Sequence, residues 1–248
     1  MKSNIIYVCF AVLASLMTSC LATGDNEIVL YAQPSVVKVM ADKKVMLLGN
    51  GTTIMADDLT KNINLEDGDC AITDFVLELG DYKNINRADS GGHYSAHKMS
   101  ITSLAKEQLL TSLTDTLALL ENEQSISNVL NKTCVIDNNI FLYMDFASEL
   151  SGAMADMSYK VDTVPDLDKD KRVYNLYFRM TGNAADERRS TVVCVAVDLH
   201  PFVSVKGREE RGLGNDSLFF KINYVNGIKT DPETAVWKKS QTFYIPLN

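Results

Sequence analysis

The chain of 248 residues is 46% hydrophobic and has a formal net charge of -8 at pH 7. Its lysines and arginines are scattered along the sequence, whereas binding to the phosphate backbone of a nucleic acid needs them clustered. We therefore expect no nucleic-acid partner. The length suffices for one large or two small domains, and the pattern of predicted elements favours two.

The N-terminal 19 residues have the layout of a secretory signal peptide. Lys2 supplies positive charge, and Ile5 to Leu16 form an apolar run of about 12 residues, where a spanning helix needs about 20. The box Leu16-Met17-Thr18-Ser19-Cys20 then places a small residue directly before a cysteine. We expect cleavage before Cys20 and lipidation of its thiol. The alternative is a plain secreted protein cut near Ala22 or Thr23.

Lipidation at Cys20 would hold the protein on a membrane without a transmembrane segment, because several acyl chains exceed the two signals that stable anchoring needs. Residues 20–32 are the predicted tether. Leu21, in place of an aspartate, resembles an outer-membrane sorting signal, and Asp25 with Glu27 resembles the acidic surface-export signal of Bacteroidetes lipoproteins. The outer membrane is the predicted location, and the leaflet stays open.

Residues 33–112 carry short apolar runs separated by turn residues such as Gly49-Asn50-Gly51. The predicted strands are 36–39, 44–48, 52–55, 70–79 and 97–101, with a mobile loop at 80–92 and a short helix over 103–110. Four or five short strands within about 80 residues are typical of a small Greek-key barrel of the OB type.

Residues 113–124 are the predicted linker between two domains, in which Leu113, Leu117 and Leu120 have helical spacing. Residues 125–248 contain runs rich in Val, Ile, Tyr and Phe, as strands prefer. The predicted strands are 134–136, 140–146, 173–180, 191–197, 217–225 and 241–247, with a surface excursion at 151–170. The expected fold is therefore all-β, an OB-like small barrel followed by an antiparallel β-sandwich.

Three of the five cysteines, Cys70, Cys134 and Cys194, lie beyond the anchor. The envelope permits a disulfide, and Cys134 with Cys194 is the possible pair because both lie in the C-terminal half. The interpretation we prefer is that all three are free and buried as small apolar residues. Their spacing matches no zinc-binding pattern.

Four motifs resemble functional sites, but each has a simpler interpretation. His93 and His97 could share a metal on a helix, whereas in an extended segment their Cα atoms are about 13 Å apart. The aspartate run around Asp166 and Asp168 lacks the glycine and glutamate of a calcium loop. Ser90-Gly91-Gly92 is not a nucleophile elbow, and residues 206–214 mix both charges in a predicted flexible loop. We therefore predict no catalytic, cofactor-binding or metal-binding residue.

The order of lipoprotein signal, small barrel and sandwich resembles the NigD-like lipoproteins of Bacteroidetes. The resemblance is carried by the box ending at Cys20 and by strand-and-turn motifs along nearly the whole mature chain. These motifs are Leu47 to Ile54, Leu65 to Asp69, Leu142 to Phe146, Tyr174 to Arg179 and Val193 to Leu199. The resemblance implies a barrel followed by a sandwich, and it transfers no catalytic residue.

The expected function is that of a non-catalytic envelope lipoprotein that presents its β modules to a protein or glycan partner, without a cofactor. One alternative is a glycan-acting hydrolase whose carboxylates converge in the fold. A cleft with two acidic side chains about 5 to 10 Å apart would favour it. Another alternative is a structural accessory of an outer-membrane assembly.

Overall fold

The computed structural model describes residues 26–40, 43–56, 59, 64–112, 116–186, 189–230 and 233–247. The predicted signal peptide and Cys20 lie outside the described residues. The chain divides into two compact units between Leu104 and Ala105. Within the described ranges, no helix has the length and apolar content that crossing a bilayer requires.

The first unit is a closed barrel of five strands in the order β1-β2-β3-β5-β4. The strands are β1 (Glu27–Met40), β2 (Lys43–Leu48), β3 (Thr53–Met55), β4 (Cys70–Glu78) and β5 (Tyr94–Leu104). Neighbours are antiparallel except β3 and β5, which are parallel. Alternate residues of β4, including Ala71, Phe75 and Leu77, enter the buried core, as the period of a strand requires.

The predicted loop between β4 and β5 contains two short helical stretches. These are α1 (Tyr82–Ile85) and a 3₁₀ turn (Arg87–Ser90). The buried Asn84 amide holds this region in place, because its Nδ2 donates to the carbonyls of Glu78 and Ser95, and its Oδ1 accepts from the Ser95 amide at 2.7 Å. The loop predicted at 80–92 therefore contains helical turns that are tied to the neighbouring strands.

Two predicted boundaries also change. Strand β1 begins at Glu27, so the last part of the predicted tether belongs to the barrel.

The predicted helix over 103–110 is wrong, because the end of β5 and the new strand β6 (Lys106–Leu110) occupy these residues. Leu109 is 4% exposed and Leu110 is 42% exposed, so burial alternates with the period of a strand. The second unit begins at Ala105, ahead of the predicted linker.

The second unit is built on one mixed sheet in the order β15-β14-β12-β10-β6-β13-β9-β7, with β11 on β12 and β8 on β9. Its further strands are β7 (Asn128–Val129), β8 (Cys134–Ile136), β9 (Asn139–Phe146), β10 (Leu150–Ser158), β11 (Asp166–Asp168), β12 (Lys171–Ala184), β13 (Thr191–Asp198), β14 (Ser217–Thr230) and β15 (Glu233–Pro246). The predicted surface excursion at 151–170 is thus mostly strand.

The all-β class and the order of barrel then sandwich are confirmed. The sheet folds over on itself, so that alternate residues of distant strands share one core. Leu176 and Phe178 of β12 pack in the same cluster as Leu142 and Met144 of β9. The sheet is not wholly antiparallel, because β6 runs parallel to both β10 and β13, and β12 runs parallel to β14.

Residues 200–212 form a continuous helical segment, which overlaps the flexible loop predicted at 206–214. It comprises α2 (His200–Phe202), a π-helical turn (Val203–Gly207) and α3 (Arg208–Gly212). Phe202 is fully buried and makes edge-to-face contacts with Tyr159, Tyr174 and Phe220. Gly207 lies so close to the core that an added Cβ would meet Leu247 at 2.9 Å. The segment is therefore packed onto the core rather than free.

Candidate functional site

The outward face of the second sheet carries the polar and aromatic side chains of β10, β12, β14 and β15 that do not enter the core. In β12, Asn175, Tyr177 and Arg179 alternate with the core residues Leu176 and Phe178. We use the name outward face for this surface. It carries a buried ion pair and two depressions.

A buried ion pair lies on the outward face. Arg179 is 2% exposed, and its guanidinium donates from Nε to Glu123 Oε1 at 2.6 Å and from Nη2 to Glu123 Oε2. Nη2 also donates to the carbonyl of Ala118, and the guanidinium lies 5.6 Å from the Trp237 ring. Bidentate pairing of this kind fixes both side chains in one geometry.

The ion pair holds residues 116–124 against the outward face, and we call these residues the covering segment. Trp237 Nε1 donates to the Thr116 carbonyl at 2.7 Å, and the backbone of Glu123 forms an isolated antiparallel β-bridge with Thr181 of β12. The predicted linker is thus, over the residues described, an integral part of the second unit, and residues 116–118 form bends rather than the predicted helix.

Beside the covering segment lies a groove of about 540 Å³, which we call the Asp156 groove. Its lining includes Glu121 from the covering segment, Met154 and Asp156 from β10, and Arg179 from β12. Asp156 Oδ1 is buried and has no hydrogen-bond partner. Burial raises the pKa of the Asp156 carboxyl, and the charge of Arg179 opposes that rise. A buried polar atom without a partner needs an explanation.

A second depression, of about 260 Å³, lies at the start of β12, and we call it the aromatic pocket. Phe219 of β14 and Tyr244 of β15 are directly opposite each other in register, with ring centroids 6.2 Å apart. Lys171 Nζ lies 4.6 Å from the Phe219 centroid. The lining also includes Asp168 and Thr242, and Tyr244 is 60% exposed. The pocket therefore combines an open aromatic wall with hydrogen-bonding groups.

The predicted acidic run forms the hairpin β11–β12, and its aspartates lie beside lysines. Asp168 Oδ2 accepts from Lys221 Nζ at 2.8 Å, and Asp166 Oδ2 accepts from Asn175 Nδ2 at 2.9 Å and Lys239 Nζ at 3.2 Å. These hydrogen bonds lower the pKa of both carboxyls. The described ranges contain no group of three His, Cys, Asp or Glu side chains placed to hold a metal.

The two histidines singled out in the sequence have separate neighbours. His93 precedes β5 and its Nδ1 lies 2.7 Å from Thr53 Oγ1, whereas His97 lies on β5 with Nε2 3.7 Å from Glu27 Oε1. The segment joining them is extended from Tyr94 onward, as predicted. The structure does not bring them together as a pair on a helix.

The possible Cys134–Cys194 disulfide is not formed, and Cys70, Cys134 and Cys194 are all free, as the preferred interpretation of the sequence had it. Cys134 on β8 and Cys194 on β13 lie on opposite sides of β9. Two strand spacings of about 4.8 Å separate them, whereas a disulfide needs Cα atoms within about 7 Å. Burial raises the pKa of Cys134 to about 12 and that of Cys194 to about 11, so both are protonated thiols.

Another polar cluster centres on Glu210 in α3, a residue that no sequence pattern singles out. Its buried carboxylate accepts from Arg172 Nε at 2.8 Å, from the Tyr174 hydroxyl and from Asn215 Nδ2 at 2.6 Å. Burial alone would raise the pKa of Glu210, but these donors outweigh burial and lower it. Because the carboxylate is well satisfied, the cluster anchors the helical segment.

Glu210 should make the second unit sensitive to acid. The pKa of Glu210 is lower in the folded protein than in the unfolded chain, where a glutamate has a pKa of about 4.3. The ionised carboxylate therefore stabilises the fold above the unfolded pKa, and this stabilisation is lost as the pH falls through the folded pKa. We expect Glu210→Gln to be less stable at neutral pH, with a smaller loss of unfolding free energy between about pH 5 and pH 3. Urea unfolding followed by the fluorescence of Trp237, the single tryptophan, measures this. Asp162→Asn, in an exposed turn, is the control and should leave the unfolding free energy at neutral pH within about 0.5 kcal/mol of wild type.

Sequence reasoning missed Arg179, Glu123 and Asp156 as a group. One signal was available, because Arg179 is a charged residue inside the apolar run of a predicted strand, where charge is rarely buried unless paired. Its partner Glu123 is 56 residues away in sequence, and no local pattern identifies it.

The fold and the outward face define the class of protein. It is an all-β protein of two units, a closed five-stranded barrel followed by a sandwich built from a mixed sheet. No protein-family model and no curated protein matches the chain at a significant level. Thirteen chains of solved structures do match it.

An uncharacterized protein from Parabacteroides merdae matches over 88% of this chain and 99% of its own, with 20% identity and a TM-score of 0.74. A protein from Bacteroides fragilis, named as a candidate lipoprotein, matches over 88% and 98%, with 12% identity and a TM-score of 0.50. At such identities the likeness shows a shared fold.

A NigD-like immunity protein from Bacteroides caccae matches over 92% of this chain and 100% of its own, with 10% identity and a TM-score of 0.46. That likeness is too low to support an argument about function. Membership of the NigD-like family therefore stays a prediction from the sequence.

Proposed function

We propose that this protein is a non-catalytic lipoprotein of the cell envelope, of the NigD-like type, which is anchored to the outer membrane at Cys20 and binds a glycan through the outward face. The box ending at Cys20 supports the anchor. The shared fold with a Bacteroides fragilis protein named as a candidate lipoprotein is consistent with it. The strand order of the barrel supports the OB type, a five-stranded Greek-key barrel.

The observation that carries the glycan proposal is the aromatic pocket. Sugar rings offer apolar C–H faces that pack on aromatic side chains, and hydroxyls that pair with charged and polar groups. Tyr244 and Phe219 provide the aromatic wall, and Asp168, Lys171 and Thr242 provide polar groups around it. At about 260 Å³ the pocket is smaller than a typical site for a whole ligand, so it suits one sugar unit of a longer chain.

Tyr244→Ala should weaken glycan binding about tenfold, because it removes the exposed half of the aromatic wall; tenfold corresponds to ~1.4 kcal/mol. Binding of the full chain to immobilised bacterial and plant polysaccharides, followed by titration of the retained ones, measures the effect. Tyr82→Ala is a matched control, since Tyr82 is an exposed tyrosine of the barrel unit. Equal retention of wild type and Tyr244→Ala would contradict the proposal.

A glycan hydrolase remains the alternative with the most specific requirement. Asp156 and Glu121 both line the Asp156 groove, and they are the pair of carboxylates that such an enzyme would use. Glu123 is held by Arg179, and Asp166 and Asp168 are held by lysines. Release of reducing sugar from a bound polysaccharide, abolished by Asp156→Asn, would replace the binding proposal with the hydrolase. A structural accessory would retain no polysaccharide at all.

A further inference from the structure

Strand β10 has one edge that is only partly paired. Along one side it pairs with β12 from Leu150 to Ser158. On the other side β6 pairs only with Met157 and Ser158, because β6 continues along β13 instead. Among the strands described, none pairs with residues 150–156 on that side. Natural proteins usually cover or protect such an edge, since its free N–H and C=O groups can accept another strand.

The free edge of β10 runs directly beside the Asp156 groove. Gly152, Met154 and Asp156 line that groove and belong to the edge strand. A bulge between Ser151 and Met154 gives the edge a local twist, and such a twist limits the open-ended addition of further strands.

The charge in the Asp156 groove is mostly negative. Glu121 and Asp156 are acidic, and the cation of the lining, Arg179, is held by the bidentate pair with Glu123. The buried Asp156 Oδ1 has no donor. Met154 is 70% exposed at the same place, so its side chain offers apolar surface next to an unsatisfied acceptor.

We propose that the free edge of β10 binds an extended segment of a partner protein, and that a lysine or arginine side chain of this segment donates to Asp156. The main chain of the segment pairs with residues 150–156 as an added strand. The methylene stem of the basic side chain packs on Met154, and its cationic head pairs with the accessible side of the Asp156 carboxylate. The site is separate from the aromatic pocket and does not depend on glycan binding.

Such a complex has a pH dependence that a purely structural role of Asp156 would not produce. Arg179 from β12 and Glu121 from the covering segment line the groove together with Asp156, and Glu123 is paired with Arg179. Because burial raises the pKa of Asp156, its carboxylate protonates earlier than usual as the pH falls. Binding of a cation therefore weakens as the pH falls through that pKa.

The test is an NMR titration of the full chain with a short capped peptide of alternating threonine and serine and one central lysine. The matched probe has norleucine in place of the lysine. We expect the lysine peptide to shift the backbone amides of residues 151–156, and to bind at least about tenfold more weakly to Asp156→Asn. Asp162→Asn, in an exposed turn, is the control and should bind like wild type. The affinity for the lysine peptide should fall as the pH falls, whereas the affinity for the norleucine peptide should not change.

Three results would overturn the proposal. The first is that neither peptide shifts the backbone amides of β10. The second is that the norleucine peptide binds as tightly as the lysine peptide. The third is that capped lysine alone binds Asp156 as tightly as the peptide does without shifting the β10 amides, which would identify a site for a small ammonium group instead. Tyr244→Ala should leave peptide binding intact, so failure here and failure of the glycan proposal are distinguishable.

Discussion

Arg179→Met should lower the free energy of unfolding of the second unit by about 3–5 kcal/mol, because it leaves the Glu123 carboxylate buried without its cation. It also removes the donor to the Ala118 carbonyl, and with it a restraint on the covering segment. The measurement is urea unfolding followed by Trp237 fluorescence. Trp237 reports on this region because its ring lies 5.6 Å from the guanidinium.

Two further variants separate the buried charge from the loss of side-chain packing. Arg179→Met combined with Glu123→Met should recover most of the stability, since apolar residues often replace a buried ion pair without cost. Lys239→Met is the control for an exposed ion pair on the same face, and its effect should stay below about 1 kcal/mol. The explanation fails if Arg179→Met costs no more than Lys239→Met does.

Cys20→Ala should abolish membrane association. Each buried CH₂ of an acyl chain contributes about 0.8 kcal/mol, so removal of all chains leaves nothing comparable to hold the protein. Labelled fatty acid incorporation and partition between detergent and aqueous phases measure the change. Cys9→Ala alters the other cysteine of the N-terminal region and should keep both the label and the detergent partition. A mature N terminus that starts elsewhere and carries no lipid would contradict the anchor.

Local patterns predicted the strands because the period of a strand is visible in the sequence. The alternation from Cys70 to Leu79 became β4, and the apolar run from Ile140 to Phe146 became β9. The order of barrel then sandwich followed from the spacing of such runs, and it is confirmed.

The wrong predictions of secondary structure have a shared cause. Contacts between residues that are distant in sequence outweighed the local preference of each segment for a helix or a loop. The segment 103–110 has helical character in the sequence, yet pairing on both sides makes Lys106–Leu110 a strand. The charged run at 206–214 predicts a loop, but the ring contacts of Phe202 and the hydrogen bonds of Glu210 hold the segment on the core. Parallel pairs such as β12 with β14 leave no local signature.

The candidate site could be predicted only in part. Asp166 and Asp168 were noticed as an acidic run, but their lysine partners at positions 221 and 239 lie on other strands. Cys134 and Cys194 were considered as a possible disulfide only because position in the chain does not show that β9 separates them.

Mapping a retained polysaccharide onto the chain by amide NMR shifts tests the glycan proposal most directly. The outward face should respond, with the largest shifts at Phe219, Tyr244 and the hairpin of β11 and β12, and the shifts should be lost in Tyr244→Ala. Shifts confined to the barrel unit, or shifts that persist unchanged in Tyr244→Ala, would show that the outward face is not the glycan-binding surface.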